Sequence, residues 1–277
     1  MAIQIPLDPT DQTGTEGPDG LVSIAPDLAW QRLKIVNVVL FGHPSAGAGN
    51  WVLIDAGLAG SAQSIRELAS NRFGQDAPPA AIVLTHGHFD HVGALETLAR
   101  DWDVPVYAHP LEHPYLDGST SYPPADPWVG GGAMALLSPL YPTSPVDVGP
   151  HLRALPADGS LPGMPGWRWI HTPGHTPGHV SLWREADRTL VAGDAFITTG
   201  QESAYEVAVQ SPEMHGPPRY FTPDWPQAGR SVRLLAGLEP ERVVCGHGHA
   251  MQGPRMRAAL HELADDFERI AVPSNRR

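Results

Sequence analysis

A chain of 277 residues with 42% apolar side chains is long enough to bury a substantial core. Its formal charge of −12 excludes a polyanionic partner as the main ligand, because nucleic-acid affinity rests on Lys and Arg neutralising phosphates. One cysteine, Cys245, excludes both an internal disulfide and a thiolate-rich zinc site, so any metal must sit on nitrogen and oxygen donors.

Residues 1–28 are rich in Pro, Gly, Asp and Thr and predict an irregular lead-in, with a single domain over 29–277. Residues 1–20 contain no basic residue and no apolar run of export-signal length, so a cytoplasmic location is expected. No stretch of about 18 apolar residues exists to span a membrane. Arg32 to Phe41 reads as one strand and Trp51 to Ile54 as the next, making a hairpin. After Asp55-Ala56-Gly57, helical spacing runs from Ser61 to Phe73. The alternation repeats with a strand at Ala80 to Leu84, a helix at Val92 to Ala99 and a strand at Val104 to Ala108, which is an α/β pattern.

From His109 to about Pro162 the chain turns Pro- and Gly-rich, with a short helix expected around Ala133 to Leu140; this stretch reads as a lid. Strands resume at Trp167 to Ile170, His179 to Trp183 and Thr189 to Val191. A second Pro-rich loop, Ser211 to Asp224, precedes a helix from Pro226 to Leu238, a strand from Arg242 to Cys245 and a helix from Pro254 to Ile270.

Fourteen histidines stand against 18 Lys plus Arg, and the histidines cluster. Thr85-His86-Gly87-His88-Phe89-Asp90-His91 follows a buried strand and opens a helix. Gly87 lets His86 and His88 point to the same side, and Asp90 and His91 at the helix start can serve a second position nearby. A single histidine of this kind is usually a solvated loop residue; four potential ligands at this spacing argue for a metal site. Pro173-Gly174-His175-Thr176-Pro177-Gly178-His179 is a tight loop that projects His175. Asp194 ends a strand with a carboxylate able to bridge two cations, and His247 also stands at a strand end. All these positions lie just past the C-terminal ends of strands, where α/β proteins place their sites.

With these motifs in this order, and with Asp55 after the early strand, the sequence resembles the metallo-β-lactamase superfamily over roughly residues 50 to 250. The resemblance implies a four-layer αββα sandwich of two mixed β-sheets flanked by helices. It implies that His86, His88 and His175 bind one divalent metal ion, that Asp90, His91 and His247 bind another, and that Asp194 bridges them while Asp55 supports a ligand from behind. Zinc is the expected metal, with iron or manganese as alternatives. A metal-bridging hydroxide would be the nucleophile, with Asp90 orienting it and moving a proton. His179 and His249 read as supporting residues, His171 is ambiguous, and His43, His109, His113, His151, His215 and His261 read as surface or internally satisfied histidines. Of these, His113 and His215 are the best placed to line a pocket. Tyr115, Tyr122, Tyr205 and Tyr220 are candidate oxyanion donors, and Cys245 reads as a buried strand residue.

Among branches of the superfamily, similarity to the hydroxyacylglutathione hydrolases covers the metal motifs but not their sizeable C-terminal region. The acyl-homoserine lactonases share the ligands, yet carry a tyrosine shortly after the bridging aspartate where this chain has Ala195, Phe196 and Ile197. The expectation is therefore a dinuclear hydrolase of a small-molecule carboxylic ester, thioester or lactone. A mononuclear iron sulfur dioxygenase, a nuclease or phosphodiesterase, and a silent metal-containing binding protein are the alternatives. No nucleic acid and no membrane are expected as partners; a homo-oligomer is.

Overall fold

Strands that carry apolar residues at every position pair where turns and crossover helices allow, and this chain builds two mixed sheets in that way. The structure, a computed structural model, describes residues 4–130 and 132–276. Among these residues no helix is long and apolar enough to cross a membrane. The chain divides into two compact units. One holds Gly14–Tyr122 and Thr143–Trp169; the other holds the N-terminal residues to Thr13, Pro123–Pro142 and the chain from Ile170 onward.

The first unit carries an eight-stranded sheet whose strands follow chain order: Thr15–Glu16, Val22–Ala25, Leu28–Leu33, Val36–Phe41, Val52–Ile54, Ala81–Val83, Val106–Ala108 and Leu152–Ala154. The first five pair antiparallel and the last four pair parallel. Two expectations are corrected here. The lead-in expected to be irregular carries the short strands Ile5–Pro6, Thr15–Glu16 and Val22–Ala25, because each pairs with a neighbour that local periodicity does not reveal. The strand expected over Arg32 to Phe41 is broken at Lys34, whose φ of 65° turns the chain between Leu33 and Val36 into a tight hairpin.

Helix Ala62–Phe73 buries Ile65, Ala69 and Phe73, one per turn, against the sheet residues Val38, Leu40, Leu53 and Ile82. The helix expected from Val92 to Ala99 is two, Phe89–Val92 and Leu95–Trp102. The break comes at Gly93, whose backbone lies against another segment: a Cβ there would sit 2.1 Å from the Ala59 nitrogen. Fully buried Trp51 stacks on Phe73 at 4.5 Å and donates its indole N–H to the Ala77 carbonyl at 2.9 Å, fixing the start of the strand Val52–Ile54 that leads to Asp55.

A five-stranded sheet runs in the order Trp167–His171, Val180–Arg184, Thr189–Gly193, Arg242–Cys245 and Met251–Gln252, and from Ile170 onward its residues belong to the second unit. Thr189–Gly193 and Arg242–Cys245 run parallel, and the other registered pairs in this sheet are antiparallel. Helices Trp225–Ala236 and Gly253–Asp265 bury Val232, Leu235, Met256, Leu260 and Leu263 against Leu190, Ala192 and Val243. Asp224 caps the first of these by accepting the Gln227 N–H at 2.9 Å. The last helix, expected to run to Ile270, stops at Asp265 and resumes as Phe267–Ile270. Mixed sheets flanked by helices give an α/β fold.

Candidate metal centre

Parallel strands end side by side, and both units use this to set polar side chains next to one another. In the first unit Ile54 pairs with Val83, so the residues that follow, Asp55 and Thr85, meet just beyond the sheet. Asp55 takes a left-handed φ of 59°, a strained position that aspartate tolerates better than most residues. Its Oδ1 accepts the Thr85 N–H at 2.8 Å; its Oδ2 accepts the Thr85 hydroxyl at 2.8 Å and faces His91 Nδ1 at 2.8 Å.

This arrangement decides two tautomers. A carboxylate only accepts, so His91 carries its proton on Nδ1 and presents a lone pair on Nε2. The single hydroxyl proton of Thr85 goes to Asp55, so the 3.0 Å contact from Thr85 Oγ1 to His86 Nδ1 is donated by the imidazole, and His86 also presents Nε2 as a lone pair. The rings of His86 and His91 lie 4.2 Å apart, and those of His86 and His88 4.8 Å.

The turn between His86 and His88 is held from beneath. The Gly87 N–H donates to Glu112 Oε2 at 2.9 Å, and the Tyr122 hydroxyl donates to the same oxygen. Glu112 and Tyr122 are both buried, and the Tyr122 ring lies 4.5 Å from that of His88. Burial, the Glu112 charge and their hydrogen bond push the Tyr122 phenol well above its ordinary pKa, so it remains a donor. A Cβ on Gly87 would sit 2.7 Å from the Tyr122 hydroxyl, which is why glycine stands there.

In the second unit Gly193 pairs with Cys245 after a bulge, and the Gly246 N–H donates to the Gly193 carbonyl at 2.9 Å. Asp194 and His247 follow, with His247 Nε2 3.2 Å and His175 Nε2 3.5 Å from Asp194 Oδ2. His175 is projected by Gly174, whose φ of +132° and close approach to helix Trp225–Ala236 leave no room for a side chain; a Cβ would lie 2.3 Å from the Ala228 nitrogen. The same proton count applies to His175. Thr222 gives its hydroxyl proton to the Pro218 carbonyl at 2.7 Å, so it accepts from His175 Nδ1 at 3.0 Å and leaves Nε2 as a lone pair.

His179 holds Asp194 by its backbone. The Asp194 N–H donates to His179 Nε2 at 2.9 Å, so the proton of His179 is on Nδ1 and goes to Thr172 Oγ1 at 2.9 Å. Thr172 then donates to Ser181 Oγ at 3.0 Å, and Ser181 to the Ala192 carbonyl at 2.9 Å. His179 is thus a neutral supporting residue, as the sequence suggested. Burial and the Asp194 charge push the Cys245 thiol well up, so it stays an unreactive thiol.

The sequence-predicted donors are all buried: His86, His88, Asp90 and His91 stand together in the first unit, and His175, Asp194 and His247 in the second. Among the supporting residues, Thr85, Thr222, Glu112 and the oxyanion candidate Tyr122 carry structural roles that motif spacing could not assign, since Thr85 lies 30 residues from Asp55, Glu112 10 from Tyr122 and Thr222 47 from His175. Of the other tyrosines, Tyr115 stacks on Tyr122 at 3.8 Å, Tyr220 is buried and Tyr205 is exposed. His215 lines a small cavity with Glu202, Glu213 and Arg219, and none of the predicted donors lines it. His113 Nε2 lies 3.3 Å from the Ala108 carbonyl.

Comparison with known proteins agrees with this geometry. The family model described as "Metallo-beta-lactamase superfamily" matches residues 32–247. A probable metallo-hydrolase of Bacillus subtilis (strain 168), YflN, is 50% identical over 238 residues, covering 86% of this chain and 90% of that protein. A hydroxyacylglutathione hydrolase of Alkalilimnicola ehrlichii is 31% identical over 188 residues, covering 68% of this chain and 53% of its own length. The crystal structure of TTHA1623 in a di-iron-bound form is similar at a TM-score of 0.51 and 27% identity, covering 80% of this chain and 92% of that one. With its mixed helix-flanked sheets, its buried His/Asp groups and a family match over most of its length, this chain belongs to the metallo-beta-lactamase superfamily.

Proposed function

We propose that the chain is a dinuclear metal-dependent hydrolase that cleaves a small-molecule carboxylic ester, thioester or lactone. The observation that carries this reading is the donor set: His86, His88, Asp90 and His91 buried just past one strand end, and Asp194 buried past another with its Oδ2 within 3.5 Å of Nε2 of both His175 and His247. In this reading His86, His88 and His175 would hold one ion and Asp90, His91 and His247 the other. Imidazole and carboxylate without thiolate suit zinc, iron or manganese, and three of the imidazoles hold their proton on a hydrogen-bonded Nδ1, the tautomer that ligates a metal through Nε2, so the residues fit such ions. Divalent ions bound there would lower the pKa of water toward neutrality and polarise a scissile carbonyl. Asp55, Thr85 and Thr222 keep the ligand imidazoles oriented, and His179 anchors the Asp194 backbone. Asp90, at the start of helix Phe89–Val92, orients the attacking water and carries a proton to the leaving group.

The relative named as a hydroxyacylglutathione hydrolase supports an acyl bond as the target, and the di-iron form of TTHA1623 supports a two-ion site. The net charge of −12 favours a small or neutral substrate over a polyanion. A panel of aryl esters, thioesters, lactones, phosphodiesters and β-lactams, offered to metal-loaded protein, tests the reading. Turnover is expected on the first three classes and lost in Asp194→Ala. Turnover confined to phosphodiesters, or oxygen uptake with persulfides, would overturn it.

A further inference from the structure

The segment from Pro127 to Val146 contains no charged residue, in a chain that carries a net charge of −12. Within the second unit its first part folds as the turn Pro127–Val129, the helix Ala133–Leu137 and the turn Ser138–Leu140, and these leave large apolar side chains in solvent. Trp128 is 77% exposed, Leu136 63%, Leu137 50% and Leu140 78%. Tyr205, 69% exposed, joins them: the Met134 N–H donates to the Glu202 carbonyl at 3.1 Å, and Gly132 lies against Ser203, which caps the helix Ala204–Val209 that carries Tyr205.

These side chains are held out by a well-tied base. Asp126 accepts the Trp128 N–H at 2.9 Å and pairs with Arg276, its own N–H donates to the Tyr220 carbonyl at 2.8 Å, and the Tyr141 ring lies 5.8 Å from that of Tyr220. Five large side chains at this exposure offer on the order of 500 Å² of apolar surface, at the upper end of what a monomer leaves in one patch. That is more than half of the roughly 800 Å² per partner buried in a standard stable interface.

We infer that this face is the surface through which two copies of the chain associate. Charge selects the partner. Two copies at −12 repel over most of their surface, and an uncharged apolar face is where they can approach without bringing like charges together. An anionic lipid surface would repel the chain for the same reason, and the segment offers no Lys or Arg to counter this. The exposed Trp and Tyr supply large, low-entropy anchors of the kind that dominate interface energetics, with the leucines filling around them.

Sedimentation velocity and light scattering of the wild-type protein, Leu140→Asp, Trp128→Asp and, as a control outside the face, Leu234→Asp test this, with circular dichroism confirming that each is folded. The wild type and Leu234→Asp should run at twice the 29.7 kDa chain mass. Each of the other two should raise the dimer dissociation constant at least about thirtyfold, as loss of an interface anchor does. A wild type that stays at one chain mass at high micromolar concentration would overturn the inference, as would a dimer indifferent to both substitutions. So would a monomeric wild type that floats with phosphatidylcholine vesicles, which would assign the face to lipid.

Discussion

Replacing Asp55 with Asn changes one atom and should reverse the proton arrangement of two imidazoles. Thr85 N–H is a fixed donor facing Oδ1, so the amide oxygen of the variant must take that place and its NH2 group the place of Oδ2. There it meets Thr85 Oγ1 and His91 Nδ1, both of which donate to the native carboxylate. His91 Nδ1 then becomes an acceptor and its proton moves to Nε2. Thr85, now accepting from the amide, turns its hydroxyl proton toward His86 Nδ1, and His86 also moves its proton to Nε2. Both histidines would present N–H where the native protein presents a lone pair. Loss of one such supporting contact costs about 10- to 100-fold in metal affinity. Two acting together through one carboxylate give on the order of 100- to 10,000-fold, or about 3 to 5.5 kcal/mol. Competition with a chelator of known affinity measures this directly, while the thermal midpoint of the metal-free variant should stay close to wild type because every hydrogen bond keeps a partner. An Asn variant that holds metal within threefold of wild type would refute the tautomer argument.

Further outcomes follow from the same contacts. Thr222→Val removes the acceptor of the His175 Nδ1 proton and should weaken metal binding about 10- to 100-fold, read by the same competition assay. Gly93→Ala drives a Cβ into the Ala59 backbone and should cost about 3 kcal/mol or more of stability, measured by urea denaturation; a loss under about 1 kcal/mol would show that the Leu58–Ala59 turn can move aside. The buried Glu202–His215 pair should give a bell-shaped contribution to stability. Burial raises the Glu202 carboxyl, but the facing His215 and Arg219 outweigh this and bring its pKa from 4.5 down to about 2, so its contribution is present above 4.5 and is lost as pH falls toward 2. Burial lowers His215, but Glu202 outweighs this and holds its pKa above 6.5, so its contribution is full below 6.5 and is lost as pH rises through the raised value. The denaturation midpoint of Glu202→Gln should therefore fall furthest behind wild type between pH 4.5 and 6.5.

The donors were legible because metal ligation demands particular side chains at strand ends, and short spacings such as His86-Gly87-His88 report local geometry directly. The order of the strand–helix alternation was legible for the same reason: a period of 2 or 3.6 is a local property. What escaped was set by distant neighbours. The split of the expected helix at Gly93 comes from the Leu58–Ala59 turn pressing on it, and the break at Lys34 from a pairing that local apolar content cannot register. The roles of Thr85, Glu112 and Thr222 depend on which atom accepts which proton, and a threonine in a loop carries no such mark in the sequence.

The central claim is a site built for two ions. Metal analysis of protein purified without added metal, followed by titration of the metal-free form, tests it most directly. Two ions per chain are expected, falling toward one in a variant that loses His247, which leaves the proposed His86, His88 and His175 ligands untouched. A wild-type protein that saturates at one ion would contradict the account.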